Sequence, residues 1–340
     1  MLQLTTNTTV TQQGPSGTVT QQKTIDLIRS TESVELTTQR FDAPGKMVFE
    51  TIEESEILLD NGAAVTFSED GETQFTGFVF TAKRSKGGKV VYTAYDQLRY
   101  LKAKASYTFQ NMDLPQIIRQ IAGDFGLQVG ELAETGYIFP VLVCENKECL
   151  GIIFDALSQT IVQTGKIFAF YDQAGRLVLR EVKDMMVTSL LGNKSLVTDY
   201  TYTRDMASST YNRVKLARPN KETGRADVYI HEDTDTIAKW GLLQYYDKVD
   251  ENLNDAQIDE LCKAYLQYYN RLLQTVTIEA LGLRGLRAGN IVPVRITEVE
   301  ELSKNRLLLA EKVTHKYEGE AHTMKVEVKN FEQLGGASWI

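Results

Sequence analysis

The chain has 340 residues, of which 42% are hydrophobic and 24% charged, an ordinary balance for a globular protein of two or three domains. Its 37 basic and 45 acidic side chains give a formal net charge of −8, which argues against nucleic-acid binding through a basic face. No apolar run approaches the roughly 18–20 residues that span a bilayer.

The amino-terminal segment MLQLTTNTTV lacks the basic and apolar regions of a signal peptide. Three cysteines, Cys144, Cys149 and Cys262, are an odd number in a long chain. They predict a reducing compartment and no disulfide framework. We therefore expect synthesis in the cytoplasm without Sec-type export.

Residues 1–105 predict short strands separated by turns. The first 24 residues are rich in Thr and Gln, and Thr favours strands because its branched Cβ fits a pleated surface. Asp60-Asn61-Gly62 is a strong hairpin signal, and further turns are predicted at 68–71 and 85–88. Turns at this regular spacing are typical of a barrel or a sandwich.

Residues 106–182 predict a small α+β unit. Asp113 can cap a helix that begins near Leu114 and ends at Gly126, with Pro115 in its first turn. A second helix is predicted at 150–164, ended by Gly165. A hairpin follows, with strands at 166–171 and 176–181.

Residues 183–330 return to strands and include one long helix, predicted at 254–274. Asn254 and Gln257 form a near match to a capping box at its start. Further strands are predicted at 276–283, 290–299, 306–317 and 322–329. The predicted fold class is therefore α+β, mainly β.

Few residues in the sequence indicate catalysis or the binding of a metal or phosphate. His231 precedes Glu232 and Asp233, a pattern that fits a polar turn better than a metal site, and His315 and His322 fall in strands. Cys144 and Cys149 have no second pair, as a zinc site would need. The glycine-rich segment 282–289 lacks the Lys-Ser/Thr of a phosphate-binding loop. The sequence therefore predicts no catalytic, cofactor-binding or metal-binding residue.

Two charged segments are adjacent. Between Met47 and Ala82 the chain has acidic residues and no Lys or Arg: Glu50, Glu53, Glu54, Glu56, Asp60, Glu69, Asp70 and Glu72. A solvated acidic face is the favoured interpretation, and a catalytic carboxylate pair is the alternative. The basic segment 83–89 follows, and it is either a soluble hairpin tip or a contact for phosphate or an acidic partner.

The chain ends in Gly335-Gly336-Ala337-Ser338-Trp339-Ile340. Two glycines before an apolar pair indicate a flexible tether with Trp339 and Ile340 as a partner contact. A disordered tail is the alternative.

Several motifs between residues 90 and 300 resemble the XkdQ/YqbQ proteins of PBSX-type prophages. They are Tyr95-Asp96-Gln97-Leu98-Arg99-Tyr100-Leu101, the 114–126 helix, Tyr211-Asn212-Arg213-Val214-Lys215-Leu216, Trp240-Gly241-Leu242-Leu243-Gln244-Tyr245 and Leu286-Arg287-Ala288-Gly289-Asn290. That family is the baseplate hub of contractile phage tails and of phage-tail-like bacteriocins.

The resemblance implies a homotrimeric ring in which each chain contributes two barrel-like tube domains. Residues 1–105 and 183–330 would be the barrels, 106–182 the smaller domain between them, and 331–340 a tail. The ring would join a sixfold tail tube to a threefold spike and contact the tube, spike, tape-measure and other baseplate proteins. DNA would pass through the lumen without specific binding, and we expect part of the acidic segment 50–72 to face it, because like charge repels phosphate.

Two other functions stay open at this stage. One is a tail-associated peptidoglycan-degrading enzyme, although nothing that resembles a catalytic module follows residue 330. The other is a glycan- or receptor-binding tail protein, which the Tyr-rich segments would suit.

Overall fold

The computed structural model describes residues 1–14, 17–52, 59–221 and 223–330. The chain divides into two compact units. Unit 1 comprises Met1–Tyr200 and Thr277–Val328. Unit 2 comprises Thr201–Val276 and Lys329–Ile340, of which 331–340 lie outside the described residues. The boundaries between these units lie near residues 200, 276 and 328, whereas the sequence predicts domain boundaries at residues 105 and 182. The assignment of two tube-type barrels stays a prediction.

Strands make up most of the secondary structure. In the first half of the chain they are β1 (Leu2–Gly14), β2 (Gly17–Asp26), β3 (Thr31–Gln39), β4 (Lys46–Ile52), β5 (Ala64–Glu69), β6 (Glu72–Ser85), β7 (Lys89–Tyr95), β8 (Lys104–Asp113), β9 (Val129–Leu132), β10 (Ile138–Glu148), β11 (Phe168–Gln173) and β12 (Arg176–Glu181). In the second half they are β13 (Leu191–Gly192), β14 (Val197–Asp205), β15 (Arg213–Asn220), β16 (Arg225–Glu232), β17 (Gln244–Lys248), β18 (Leu273–Leu281), β19 (Ile291–Arg295), β20 (Arg306–Glu318) and β21 (Ala321–Asn330). The α-helices are α1 (Leu114–Asp124), α2 (Cys149–Thr164), α3 (Thr234–Trp240) and α4 (Asp255–Tyr269). The predicted class, α+β and mainly β, is confirmed.

The largest sheet joins the two ends of the sequence. Its strand order is β14-β18-β21-β20-β3-β4-β7-β6-β5-β1-β2, and β19 pairs with both β20 and β13. Strand β20 runs antiparallel to β3, so that Val313 lies opposite Thr38. One face of this sheet buries a core of apolar side chains, which includes Leu4, Phe49, Phe67, Tyr92 and Tyr317. Strands predicted for different domains therefore share one sheet.

Residues 104–182 of unit 1 form the helical part of that unit. The Asp113 carboxylate accepts from the Gln116 amide, and the Gln116 side chain accepts from the Asp113 amide, so the predicted cap of α1 is a full capping box. Gly165 ends α2 with a left-handed conformation, as predicted. The two helices pack between the β8–β10 ribbon and the β11–β12–β9 sheet around one apolar core.

Unit 2 contains the β16–β15–β17 sheet with α4 packed on one face. Asn254 and Gln257 form the predicted capping box at the start of α4. The helix is shorter than the predicted 254–274, because Asn270 leaves helical geometry at ψ 71°. The chain then enters β18 at Leu273, where Thr275, Val276 and Thr277 favour an extended backbone. None of the described helices meets the length and hydropathy of a membrane-spanning segment.

The loop between β18 and β19, residues 282–290, touches several elements of unit 1. The Gly289 amide donates to the Ala310 carbonyl of β20, and the Ala288 amide donates to the hydroxyl of Thr38 on β3. Gly289 has φ +98°, and a Cβ there would lie 2.7 Å from the Ala169 Cβ. Glycine is therefore required for both conformation and space.

We expect Gly289→Ala to lower the free energy of unfolding by roughly 2–4 kcal/mol, since it combines left-handed strain with overpacking. Gly285→Ala in the same loop is the control, because Gly285 has φ +74° and open space around it. Its cost should be about 1 kcal/mol. Guanidinium chloride unfolding measures both. Equal costs would contradict the close approach to Ala169.

Candidate functional site

The predicted acidic face separates into pairs and isolated groups. Glu50 accepts from the Lys89 ammonium at 2.8 Å, which lowers the pKa of Glu50, and Lys89 also binds Glu32. Asp60 and Glu72 are exposed, and no ion pair is recorded for either within the described part of the chain. Glu53, Glu54 and Glu56 lie outside the described residues, as do Trp339 and Ile340.

Glu69 and Asp70 belong to a mixed-charge cluster at the turn between β5 and β6. Arg284 of the 282–290 loop approaches Glu69 at 3.5 Å and donates to Asp70. The Tyr317 hydroxyl donates to Glu69 at 3.3 Å, and the His322 ring stacks on Tyr317 with centroids 4.1 Å apart. Arg284, Tyr317 and His322 are more than 200 residues from Glu69 in the sequence, so this cluster could not be predicted from sequence patterns.

A surface cavity of about 470 Å³ adjoins this cluster. Its polar lining includes Glu32, Glu69, Glu320, Tyr317 and His322. Most of these groups already have protein partners: Glu32 binds Lys89, and Glu69 binds Arg284 and Tyr317. The contacts of Glu32, Glu69 and Tyr317 with other side chains of the chain are consistent with a structural role for this cluster.

A second polar cluster joins the helical part of unit 1 to the large sheet. The Arg287 guanidinium lies 3.6 Å from the centre of the Tyr171 ring and donates to the Asp172 carbonyl at 3.1 Å. Cation–π contact and this hydrogen bond together fix the loop against β11. The Asn290 side chain bonds the Arg287 amide and the Met185 carbonyl, both at 2.8 Å.

Asp96 and Gln97 complete this cluster from the other side. The buried Asp96 carboxylate accepts from the amides of Gly45 and Leu98. Gln97 donates to the buried carboxylate of Asp172 at 2.7 Å. Burial raises the pKa of Asp96 well above its usual value, and the nearby charge of Asp172 raises it further. These hydrogen bonds join the 96–97 segment to Gly45 and to Asp172 of β11.

In unit 2 the motif residue Asn212 has a similar role. It is fully buried. Its side chain accepts from the Leu243 amide at 2.8 Å and donates to the Gly241 carbonyl at 2.7 Å. The motifs at 211–216 and 240–245 are therefore in direct contact. Four tyrosines, Tyr211, Tyr245, Tyr265 and Tyr269, pack their rings together beside them.

The remaining candidates offer little chemistry. His231 bonds Asp259 at 2.5 Å on the surface, and Asp259 also binds Lys263. Burial raises the pKa of Cys144, Cys149 and Cys262, which favours the protonated thiol over the reactive thiolate. No group of three or more His, Cys, Asp or Glu side chains suited to a metal ion occurs among the described residues. The basic segment 83–89 is the exposed tip of the β6–β7 hairpin.

A family model described as YQBQ-like matches residues 34–329. The chain belongs to the YqbQ-like family. It is 31% identical to the uncharacterised protein YqbQ of Bacillus subtilis, over 88% of this chain and 91% of that protein. It is 30% identical to the phage-like element PBSX protein XkdQ of the same organism, over 87% and 91%. The predicted resemblance to this family is thus confirmed.

Solved structures of low sequence identity share the fold. The 43 kDa tail protein of prophage MuSo2 from Shewanella oneidensis superimposes with a TM-score of 0.70 at 14% identity, covering 97% of this chain and 99% of that one. The Escherichia coli c3393 protein, a component of the type VI secretion system, matches with a TM-score of 0.53 at 10% identity. The match covers 91% of this chain and 76% of that one.

We expect Arg287→Ala to destabilise unit 1 by roughly 2–4 kcal/mol. The substitution removes the cation that lies against Tyr171 and near the buried carboxylates of Asp96 and Asp172. Arg284→Ala is the matched control in the same loop. Its side chain is 40% exposed, so its loss should cost no more than about 1 kcal/mol. Chemical unfolding distinguishes them, and similar costs would show that Arg287 has no special role.

Asn212→Ala should destabilise unit 2 by roughly 2–4 kcal/mol, since it removes a fully buried side chain and both of its hydrogen bonds to backbone groups. Asn193→Ala, which removes only exposed hydrogen bonds to Thr297 and Glu298, is the control and should cost less than about 1 kcal/mol. Hydrogen exchange at Leu243 measures the local effect directly. Unchanged protection of that amide would contradict the proposed role of Asn212.

Proposed function

We propose that this protein is a non-enzymatic baseplate hub of a contractile phage tail or tail-like particle. Three copies form a ring that joins the sixfold tail tube to the threefold spike. The 30% identity to a protein named as part of the phage-like element PBSX carries the proposal, and the family match over residues 34–329 agrees with it. The fold shared with a prophage tail protein along nearly its whole length supports the same role.

The likeness to the type VI component supports the position in the particle. That protein is described as similar to the T4 bacteriophage tail proteins gp27 and gp5. We propose the tail tube, spike, tape-measure and other baseplate proteins as partners, and the baseplate of the particle as the location.

The distribution of polar groups favours an assembly role over catalysis. Asp96, Gln97, Asn212 and Asn290 all hold backbone or side-chain groups of the same chain. In an enzyme some buried polar groups of this kind would face a substrate cavity. Here the polar groups at the motif positions serve the fold, which leaves surfaces and strand edges to bind partners.

Within the ring, residues 1–105 and 183–330 would supply the two tube-type barrels and 106–182 the domain between them. We propose that part of the acidic segment lines the lumen, where like charge would keep DNA from binding tightly. Glu50, Glu69 and Asp70 already neutralise cations. Among the carboxylates that the structure describes, Asp60 and Glu72 would therefore contribute most of the repulsion.

The test is the structure of the native particle. We expect three copies of this 38.3 kDa chain in one ring between tube and spike, with Asp60 and Glu72 on the inner wall, visible by cryo-electron microscopy. The isolated chain is not a sufficient sample, since partners can template a ring. A single copy per particle would contradict the proposal, and carboxylates only on the outer wall would contradict the lumen assignment.

Two assays discriminate the other functions. Clearing of peptidoglycan in a zymogram, at the band of this chain after renaturation, would favour a lytic enzyme. Selective binding on a glycan array would favour a receptor-binding protein. We expect neither result, and particles that lack this chain should fail to join tube to baseplate.

The carboxyl-terminal contact has its own test. Deleting residues 335–340 should reduce the yield of complete particles, since Trp339 and Ile340 are proposed to anchor a neighbouring subunit. A variant with both residues replaced by Ser keeps the length of the tail as a control and should show the same defect. Normal yields with the deletion would remove the contact from the proposal.

A further inference from the structure

Two of the chain's three histidines bond each other in unit 1. His315 of β20 and His322 of β21 lie on neighbouring strands, with Nδ1 of His315 2.9 Å from Nε2 of His322. Nε2 of His315 is 2.6 Å from the Leu286 carbonyl oxygen in the 282–290 loop. His315 is 7% exposed, so these two contacts replace solvent for most of the ring.

The partners assign the protons. A carbonyl oxygen only accepts, so His315 must carry its hydrogen on Nε2 and donate to Leu286. In neutral His315, Nδ1 is then an acceptor, and His322 must donate to it from its own Nε2. The Nδ1 atom of neutral His322 is left without a hydrogen and lies 3.8 Å from the Glu69 carboxylate.

This arrangement accommodates one added proton but not two. The first can enter at Nδ1 of His322, where it faces Glu69 and leaves both hydrogen bonds intact. A second must enter at Nδ1 of His315, where it would point at the N–H of His322. The inner hydrogen bond is then lost, and two cationic rings lie side by side in a largely dry site.

We propose that His315 and His322 form a proton-operated clasp that holds the 282–290 loop on β20 and β21 at neutral pH and releases it in acid. The loop depends on the pair at two points. His315 donates to Leu286, and the Gly282 amide donates to the His322 carbonyl at 2.8 Å. Gly282 also packs so closely on the His322 ring that a Cβ would lie 2.1 Å from it.

Charged and titratable groups face the clasp from each neighbouring element. Glu69 approaches from β5 and is paired with Arg284 of the loop, while Tyr317 stacks on His322 from β20. The adjoining cavity adds Glu32, Glu320 and the Met1 amino group. Asp70 is paired with Arg284 and with that amino group. Protonation of Glu69 or Asp70 would weaken the same region, so an experiment must separate carboxylates from histidines.

The pKa values of the two histidines show in which direction stability changes with pH. Burial lowers the pKa of His315 from 6.5 to about 4, and burial also lowers the pKa of His322, with Glu69 opposing it. A histidine whose pKa is lower in the folded state binds more protons when unfolded, so its contribution to stability is present above about pH 6.5. That contribution is lost as the pH falls from 6.5 through about 4.

The test is hydrogen exchange of the full-length chain between pH 7 and pH 4, corrected for the intrinsic rate at each pH. We expect backbone amides of residues 282–290 to lose at least about tenfold in protection in the wild type. His315→Gln keeps a donor for Leu286 but cannot be charged, so its protection should change little over this range. His231→Gln, which alters the remaining histidine in unit 2, should behave as the wild type.

Arg284→Gln tests whether protonation of Glu69 and Asp70, rather than of the histidines, causes the loss of protection. It leaves both histidines in place and removes the cation that Glu69 and Asp70 bind. We expect this variant to keep the acid-induced loss of protection. The proposal is overturned if His315→Gln retains the full loss, or if wild-type protection does not depend on pH.

Nitrogen-15 spectra of the histidine rings provide a measurement that needs no variant to fold. In the wild type His315 should carry its hydrogen on Nε2 and stay neutral down to about pH 4. Exchange protection should begin to fall below about pH 6.5, where the ring is protonated in the released state, and continue to fall towards pH 4. A His315 ring that titrates near its ordinary value with the hydrogen on Nδ1 would refute the clasp.

Discussion

The attachment of the 282–290 loop is the constraint on which unit 1 depends. Arg287 fixes it to β11 through Tyr171 and Asp172, Ala288 fixes it to Thr38 of β3, and Asn290 fixes it to Met185. Each of these partners comes from a different part of the sequence. A short loop with a polar contact at nearly every position can hold distant strands in one register, because each contact is lost if the loop shifts.

The motifs that resemble the XkdQ/YqbQ family gain a physical explanation from this arrangement. Asp96, Gln97, Arg287 and Asn290 meet around one joint in unit 1, and Asn212 bonds the 240–245 motif in unit 2. Buried polar groups cost free energy unless they are paired, so such positions specify one packing arrangement rather than merely adding stability. The motif residues named here therefore have a structural role that their contacts within the fold explain.

Local features of the fold could be predicted from the sequence, and long-range ones could not. The caps at Asp113 and Asn254 and the stop at Gly165 depend on residues within four positions, so their patterns are visible in the sequence. The pairing of β20 with β3 joins residues more than 250 positions apart. Alternating Thr, Val and Tyr indicates a strand but contains no information on which strand it pairs with.

The same distinction explains the predictions of site residues. The acidic segment was visible as a run of charge, but the cations that neutralise Glu69 and Asp70 come from residue 284 and the amino terminus. Seen from the sequence alone, residues 282–289 were only a glycine-containing turn. A turn that is exposed to solvent needs glycine only for its backbone conformation. Gly282 and Gly289 also leave space for the His322 ring and for the Ala169 Cβ, respectively. Lack of space around a residue depends on its neighbours in the folded molecule. The steric constraint on Gly282 and Gly289 therefore could not be predicted from the sequence.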